Sequence, residues 1–476
     1  MDSKSKNAIL WTAIERFSVQ GIQFILGLII ARILTPDDYG LIAMLSIFTA
    51  IAQSFVDSGF GSALIQKQNR TNIDYSTVFY FNFLVSILCY LILYFSSHAI
   101  SVFYNEPDLE LITKVVGINL IINSLSLVQR TKLIIELKYS AIAKITLIAT
   151  VIGGGIGLLM AYWGFGVWTL IFQTLILNIV TVVLLSIYSK WIPMFVFSIS
   201  SFKSLFTFGS KLLLGGLMHT VYTNLYSLVI GKKFEANELG LFNRSYSLAI
   251  IIPSNITSIM ERTFYPIGCE IQNDNEKLKL YFIKNIRLAS FVLFPIMLLL
   301  GALAKPIIII LLSEKWIDVS RYLPIMCVAY MWDVIMRLNW NILSIKGRTD
   351  LSLKSEVFKK IVSILILIIT IPFGLKIMCY GLILYSILDI LIITIFTKKL
   401  GVVTFVDEIR NIFPFLAASI LAVIPVYYIS TYYTNNYLVV FLGGFSTIII
   451  YCCILFFIRN NEILSLLNNL KNKITI

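Results

Sequence analysis

Long apolar runs separated by short polar connections make up most of the sequence. A membrane-spanning helix needs about 20 apolar residues to cross about 30 Å of hydrocarbon, and runs of that length recur along the whole chain. A lipid-exposed backbone must satisfy its hydrogen bonds within its own segment, so these spans are expected to be helices and not barrel strands. The pattern predicts fourteen spans, near residues 9–31, 39–58, 77–98, 112–129, 142–162, 166–188, 206–230, 239–260, 285–304, 320–343, 357–375, 377–396, 411–430 and 437–458.

Two segments that lie 200 positions apart resemble each other. Residues 28–41 read LIIARILTPDDYGL, and residues 228–241 read LVIGKKFEANELGL. Each segment predicts the end of one span, a short loop and the start of the next span. We interpret this as a duplicated unit, with six-helix lobes at 1–200 and 201–400 and, at 401–476, two extra transmembrane helices and a short cytoplasmic tail. An even number of spans per copy predicts a parallel repeat with a pseudo-two-fold axis along the membrane normal.

Composition supports an integral membrane protein. Apolar residues make up 58% of the 476 and charged residues 13%, with a mean hydropathy of +0.88. Soluble chains are about 25% charged, and no soluble core could absorb this much apolar sequence. The basic start MDSKSK runs directly into the first span without a small-residue cleavage site, which predicts an uncleaved helix. Six scattered cysteines and two distant histidines have no metal-ligand spacing, so we expect no metal site and no cofactor.

The basic residues are unevenly distributed between the predicted loops. If the amino terminus is cytoplasmic, 27 of the 38 lysines and arginines lie on the cytoplasmic side, 8 lie on the opposite side and 3 lie within spans. The positive-inside rule therefore predicts that both termini are cytoplasmic. Anionic lipids of the inner leaflet account for the net charge of +13, so no nucleic-acid partner is needed.

Several passages carry a resemblance to a known family. They are WTAIERFSVQGIQFILGLIIARILTPDDYGL (11–41), FVDSGFGSALIQK (55–67), WGFGVWTLIFQTL (163–175) and ELGLFNRSYSLAIIIPSNI (238–256), the last followed by TFYP (263–266) and LAKPIIIILLSEKW (303–316). On these passages the chain resembles the polysaccharide-repeat flippases of O-antigen, capsule and exopolysaccharide synthesis, the Wzx-type branch of the multidrug/oligosaccharidyl-lipid/polysaccharide exporter superfamily. Past about residue 340 the agreement is in hydropathy alone.

The resemblance implies an all-α fold like that of the multidrug extruders, with two lobes that rock about a central cavity. It also implies a bacterial inner-membrane flippase that moves undecaprenyl-diphosphate-linked oligosaccharide repeat units from the cytoplasmic to the outer leaflet. Its expected partners are the lipid-linked substrate, membrane lipids, and the polysaccharide polymerase and chain-length machinery. The resemblance leaves the sugar undefined.

A lipid diphosphate is an anion, so the protein must offer cations inside the membrane, and the planar guanidinium suits phosphate best. An intramembrane arginine costs about 2.5–3.5 kcal/mol on insertion scales, so it usually faces a cavity or a partner. Candidates for headgroup binding are Arg16, Arg244 and Arg337 within spans, and Lys211 on the seventh span. The competing interpretations are snorkelling for Arg16 and Arg244, solvation at the loop edge for Lys211, and an ion pair with Asp333 for Arg337.

Three carboxylates are candidates for coupling transport to Na⁺ or H⁺. Asp389 has no basic residue within five positions, and a buried acid without a partner could trade a proton or coordinate Na⁺. The alternative is a hydrogen bond to a neighbouring helix. Glu15 and Asp333 are further candidates, and Pro253 is a candidate hinge because it removes a hydrogen bond within its span.

Other functional classes remain open at this stage. An ion-coupled extruder of drugs or organic cations would use the same fold, and a membrane polysaccharide polymerase or ligase is a further alternative. The short outer loops disfavour such an enzyme, and GFGSALIQKQNR does not match the Gly-x-x-x-Asp-Arg pattern of general sugar transporters. No nucleotide-binding sequence is present. We therefore expect transport, as by an antiporter, driven by a gradient, the membrane potential or consumption of the product.

Overall fold

A computed structural model describes residues 3–458, with side chains described from residue 18 onward, and every regular element in that part is helical. Eighteen α-helices follow one another, with two short 3₁₀ turns at Glu314–Trp316 and Ile371–Phe373. The helices are α1 (Ser3–Ile33), α2 (Pro36–Asp57), α3 (Phe60–Gln66), α4 (Asn72–Tyr104), α5 (Asp108–Ser124), α6 (Leu127–Ile135), α7 (Tyr139–Tyr162), α8 (Trp168–Ser189), α9 (Ile199–Lys233), α10 (Ala236–Glu270), α11 (Asn275–Ala302), α12 (Ala304–Leu312), α13 (Val319–Tyr330), α14 (Asp333–Ile345), α15 (Thr349–Thr370), α16 (Leu375–Lys398), α17 (Phe405–Tyr432) and α18 (Asn436–Phe457).

Each predicted span coincides with one helix or with a consecutive pair. Within the described part of the chain, nine helical segments are long and apolar enough to cross a membrane. The five other spans are α1, α9, α10, the α13–α14 pair and α15, which are more polar, interrupted or only partly described. The all-helical membrane architecture is therefore confirmed.

The helix boundaries repeat at the predicted spacing. α1 ends at Ile33 and α9 at Lys233, and the following helices begin at Pro36 and Ala236. Thr35 explains why α2 begins where it does. Its hydroxyl accepts the Asp38 backbone N–H at 3.4 Å, while the Asp38 carboxylate accepts the Thr35 N–H at 2.9 Å. This reciprocal capping box satisfies two backbone donors at the start of the helix.

The fourth span of each copy is broken. In the first copy α5 gives way to α6 at residues 125–126, and in the second α13 gives way to α14 at residues 331–332. Transporters built from repeats place substrate and ion sites at helices interrupted in corresponding positions. The second break directly precedes Asp333, one of the candidate coupling residues.

The chain divides into two compact units, residues 1–240 and 241–476. The predicted division at residues 200 and 400, with two extra helices after it, stays a prediction. In the first unit α7 packs closely on its neighbours through glycines. A Cβ atom on Gly153 would lie 2.8 Å from the Cβ atom of Leu177 on α8, and one on Gly157 would lie 2.9 Å from Gln173. The glycine-rich face of α7 therefore serves helix packing.

In the second unit α11 packs against α17, α17 against α18, and α16 against both α13 and α15. Large side chains without exposed surface fill its interior, including Phe282, Phe294, Trp316 and Phe415. This apolar frame surrounds the charged residues described next.

Candidate functional site

Three acids and three bases lie near one another on α14, α15 and α16 of the second unit. They form what we call the charged cluster: Asp333, Arg337, Glu356, Lys359, Lys360 and Asp389. At its centre the Lys359 ammonium lies 3.2 Å from Asp389 Oδ1, with the two side chains 8% and 9% exposed. The same ammonium lies 2.7 Å from Glu356 Oε1, which is half-buried. Lys359 therefore links a buried carboxylate to a more exposed one.

This ion pair shows that Asp389 has a partner, so the expectation of an acid without a partner is wrong. No basic residue lies near Asp389 in sequence, but Lys359 reaches it from the preceding helix. A span beginning near residue 357, as the apolar pattern predicts, would place Lys359 and Lys360 at its cytoplasmic edge. Because α15 begins at Thr349, both lysines lie near the middle of that helix. An ion-coupling role for Asp389 stays a prediction.

Asp333 connects α14 to α10. Its Oδ2 accepts a hydrogen bond of 3.2 Å from the Thr257 hydroxyl, and its carboxylate interacts electrostatically with Arg337 and Lys359. Arg337 is exposed. Asp333 therefore interacts with Thr257 and Lys359 as well as with Arg337, whereas a self-contained ion pair would involve Arg337 alone. The role of Asp333 in ion coupling stays a prediction.

An arginine and several aromatic rings lie further along α10. The guanidinium carbon of Arg244 is 5.8 Å from the ring centroid of the buried Trp316, a cation–π arrangement. The rings of Tyr246 and Tyr330 meet edge to face at 5.3 Å, and Tyr246 interacts electrostatically with Asp333. The half-buried Arg244 guanidinium is therefore oriented by an aromatic face, while Tyr246, two residues further along α10, is the residue that interacts with the charged cluster.

The remaining candidates lie apart from the cluster or outside the described side chains. Pro253 is buried, and α10 continues through it without interruption, so its role as a hinge stays a prediction. Lys211 is exposed on α9 in the first unit. The side chains of Glu15 and Arg16 lie outside the described residues. The structure thus places Asp333, Arg337 and Asp389 in one cluster but leaves the assigned roles untested.

Sequence reasoning missed Lys359, Glu356 and Thr257. The sequence holds a signal for the position of Lys359, namely the glycine at position 347. Gly347 lies just before α15, and in the structure its φ is +68°. Glycine at such a backbone angle often marks the end of one helix before the next begins. Starting the eleventh span at that glycine would have placed Lys359 in its middle, and only the fold could then pair it with Asp389.

The cluster can neutralise itself and can also offer cations to an anion. Its three acids match its three bases, so the buried pair need not leave net charge in the apolar frame. Burying two charges is costly, and the geometry offsets that cost only while both partners remain. Within the described residues no group of three or more His, Cys, Asp and Glu side chains could hold a metal ion.

Sequence comparisons find related proteins. The family model described as "Polysaccharide biosynthesis protein" matches residues 29–321. The teichuronic acid biosynthesis protein TuaB of Bacillus subtilis (strain 168) is 26% identical over 351 residues, covering 72% of this chain and 71% of TuaB. The lipopolysaccharide biosynthesis protein WzxC of Escherichia coli (strain K12) is 25% identical over 358 residues, covering 75% and 73%. The family match ends before the charged cluster and therefore assigns no role to it.

Solved structures share the fold. The lipid II flippase MurJ in its inward closed conformation superposes with a TM-score of 0.73 at 14% identity, covering 95% of this chain and 100% of its own. An inward-facing multidrug-resistance transporter of the MATE family superposes with a TM-score of 0.60 at 14% identity, covering 83% and 99%. The exporter-like fold predicted from the sequence is confirmed.

Proposed function

The chain belongs to the polysaccharide biosynthesis protein family, and we propose that it flips lipid-linked oligosaccharides across the membrane. The observation that carries this proposal is the family match over residues 29–321 in a chain with the exporter fold. The relatives named above belong to teichuronic acid and lipopolysaccharide biosynthesis. Since these glycans differ, the proposed common substrate is an undecaprenyl-diphosphate-linked repeat unit of any sugar sequence.

The charged cluster supplies the chemistry that a diphosphate headgroup requires. Within the cluster, Arg337 presents a planar fork that can bind phosphate oxygens in pairs, and Lys359 and Lys360 add ammonium groups. Arg244 on α10, outside the cluster, is a further proposed headgroup contact. Before the headgroup binds, the cluster acids keep the bases neutralised, so that the site does not bury net positive charge. Lys211 and Arg16 of the first unit stay candidates for headgroup binding.

We propose that coupling to an ion uses the central pair of the cluster. The Lys359 ammonium lies 3.2 Å from Asp389 Oδ1 as its counter-ion, so withdrawing the ammonium would leave the carboxylate free to take up another cation. We propose that the headgroup draws Lys359 from Asp389, which then takes up H⁺ or Na⁺ as the two lobes alternate access. Asp333 and Glu15 are the other proposed exchange sites, and Pro253 is the proposed hinge.

The proposed setting is the bacterial inner membrane, with both termini cytoplasmic. The chain then acts as a transporter and not an enzyme, and it hands its substrate to the polysaccharide polymerase and chain-length machinery. An extruder of organic cations would be better served by a net acidic site. Here the bases equal the acids, so the cluster lacks the net negative charge that an organic-cation pathway would favour.

Deletion of the gene in its own host tests the proposal. We expect loss of the surface polysaccharide, with lipid-linked repeat units accumulating in the cytoplasmic leaflet, and restoration by the wild-type gene. Unchanged surface polysaccharide in a deletion strain that carries no second transporter would contradict the proposed function.

A further inference from the structure

A second buried acid lies outside the charged cluster, at the start of α17. Glu408 is 0% exposed, and its Oε2 accepts a hydrogen bond of 2.9 Å from Asn339 Nδ2 on α14. Asn339 Oδ1 in turn accepts a hydrogen bond of 3.4 Å from the Thr397 hydroxyl on α16. Asn339 and Thr397 are also fully buried. A chain of hydrogen bonds therefore links this carboxyl group on α17 to α14 and, through Asn339, to α16.

The other oxygen of this carboxyl group, Oε1, is buried and has no hydrogen-bond partner among the described residues. The charged group that acts on Glu408 is its neighbour Asp407, another acid. Asp407 itself binds the Lys279 ammonium of α11 at 2.9 Å. An isolated carboxylate in such surroundings would be very unfavourable, since a buried charge needs a partner of opposite sign.

The remaining charged groups on the packed elements are engaged elsewhere or exposed. On α11, Arg287 donates to Asn411 at 3.2 Å and lies over the Phe415 ring. Arg337 on α14, Lys398 on α16 and Arg410 on α17 are exposed. Burial without a counter-ion therefore leaves protonation as the means of neutralising Glu408.

A metal cation fits this site poorly. Asn339 Nδ2 also donates to the Ile335 carbonyl at 3.2 Å, which fixes the amide with its N–H groups towards Glu408. A cation near Oε2 would face an N–H donor, and only Oε1 would remain as a ligand. Hard cations of this kind take about six oxygen ligands.

We propose that Glu408 binds a proton and holds it as a neutral carboxylic acid, in a site formed with Asn339, whose amide oxygen is held by Thr397. The protonated site joins α17, the first helix of the terminal pair, to α14 and α16. Loss of the proton would place a charge between the three helices and loosen their packing. This site is distinct from Asp389, which has Lys359 as its counter-ion.

The test is thermal unfolding of the full-length protein in lipid nanodiscs from about pH 5 to about pH 8. An unfolded glutamate ionises at about pH 4.3. A folded state that keeps the proton therefore binds more protons than the unfolded state, and the free energy of unfolding falls as pH rises. We expect Glu408→Gln, which mimics the neutral acid, to remove that part of the pH dependence. Glu276→Gln, at an exposed acid of α11, is the control and should leave the pH dependence of unfolding unchanged. Identical pH profiles for wild type and Glu408→Gln would overturn the proposal.

Infrared spectroscopy gives a direct second measurement. The wild-type protein near neutral pH should show the C=O band of a protonated carboxylic acid, and the band should be absent from Glu408→Gln in the difference spectrum. If that variant fails to fold, the wild-type band should instead convert to carboxylate bands at the pH where stability falls. A wild-type protein without any protonated-acid band near neutral pH would also overturn the proposal.

Discussion

Asp37 accepts a hydrogen bond of 2.9 Å from Asn237, its counterpart 200 positions later in the duplicated sequence. The contact is reciprocal around this bond. A Cβ atom on Gly40 would collide with the Ala236 carbonyl, and one on Gly240 would collide with the Pro36 carbonyl. The first turns of α2 and α10 therefore cross symmetrically, as a two-fold repeat with this spacing predicts. Glycine is required at both crossing positions because neither leaves room for a side chain.

Gly40→Ala should destabilise the protein, because the new methyl group meets backbone and not a flexible side chain. Overpacking of this kind typically costs about 1–3 kcal/mol. The melting temperature in detergent measures the effect, and Gly240→Ala should behave like Gly40→Ala. Gly155→Ala, at a helical glycine with no neighbour within 4 Å, is the matched control and should leave stability unchanged or slightly raised. Equal melting temperatures for Gly40→Ala and Gly155→Ala would refute the close crossing.

Cysteines at positions 37 and 237, in a chain otherwise free of cysteine, should become cross-linked on oxidation. If α2 and α10 separate at this crossing during transport, the cross-link should stop transport and a reductant should restore it. The single-cysteine variants Asp37→Cys and Asn237→Cys control for loss of the hydrogen bond itself. Full transport by the cross-linked protein would show that this crossing stays closed throughout the cycle.

Breaking the Lys359–Asp389 pair on one side should be costly. Lys359→Met leaves a buried carboxylate without its counter-ion, a change that typically costs about 3–5 kcal/mol. The double variant Lys359→Met plus Asp389→Leu removes both charges and should recover most of that stability. Thermal unfolding of the two single variants and the double variant measures the coupling.

A transport assay of the double variant distinguishes a structural role of the Lys359–Asp389 pair from a functional role. If Lys359 carries the headgroup, the stable double variant should remain inactive. A double variant that is stable and active would limit the pair to a structural role, whereas additive destabilisation would show that the two side chains do not interact.

The sequence predicted the helix order well because the length of each apolar run decides whether it can span. It also predicted the duplicated loop, since both copies keep a helix start at the same offset. The partner of Asp389 was not predictable, because side chains from separate helices meet only in the packed fold. Lys359 was predicted at a span edge because the start of α15 was placed too late. The first turns of this helix are polar and resemble loop sequence.

The burial of Glu408 was likewise not predictable from the sequence. In sequence it stands between Asp407 and Arg410, as a loop acid would, and it drew no prediction. In the fold, Asn339 of α14 binds its carboxyl group, and Thr397 of α16 binds Asn339. Spacing along the chain carries no signal for these contacts between helices.

Transfer of lipid-linked oligosaccharide between the leaflets of proteoliposomes tests the central claim most directly. With the host's own glycolipid, and with a proton or sodium gradient imposed in turn, wild-type protein should expose the oligosaccharide on the far leaflet. Arg244→Ala should slow transfer about tenfold or more, because a hydrogen bond to a charged group is typically worth about 1.5–3 kcal/mol. Arg244→Lys keeps the charge without the planar fork and should fall between the two. No transfer by folded wild-type protein under either gradient would contradict the account.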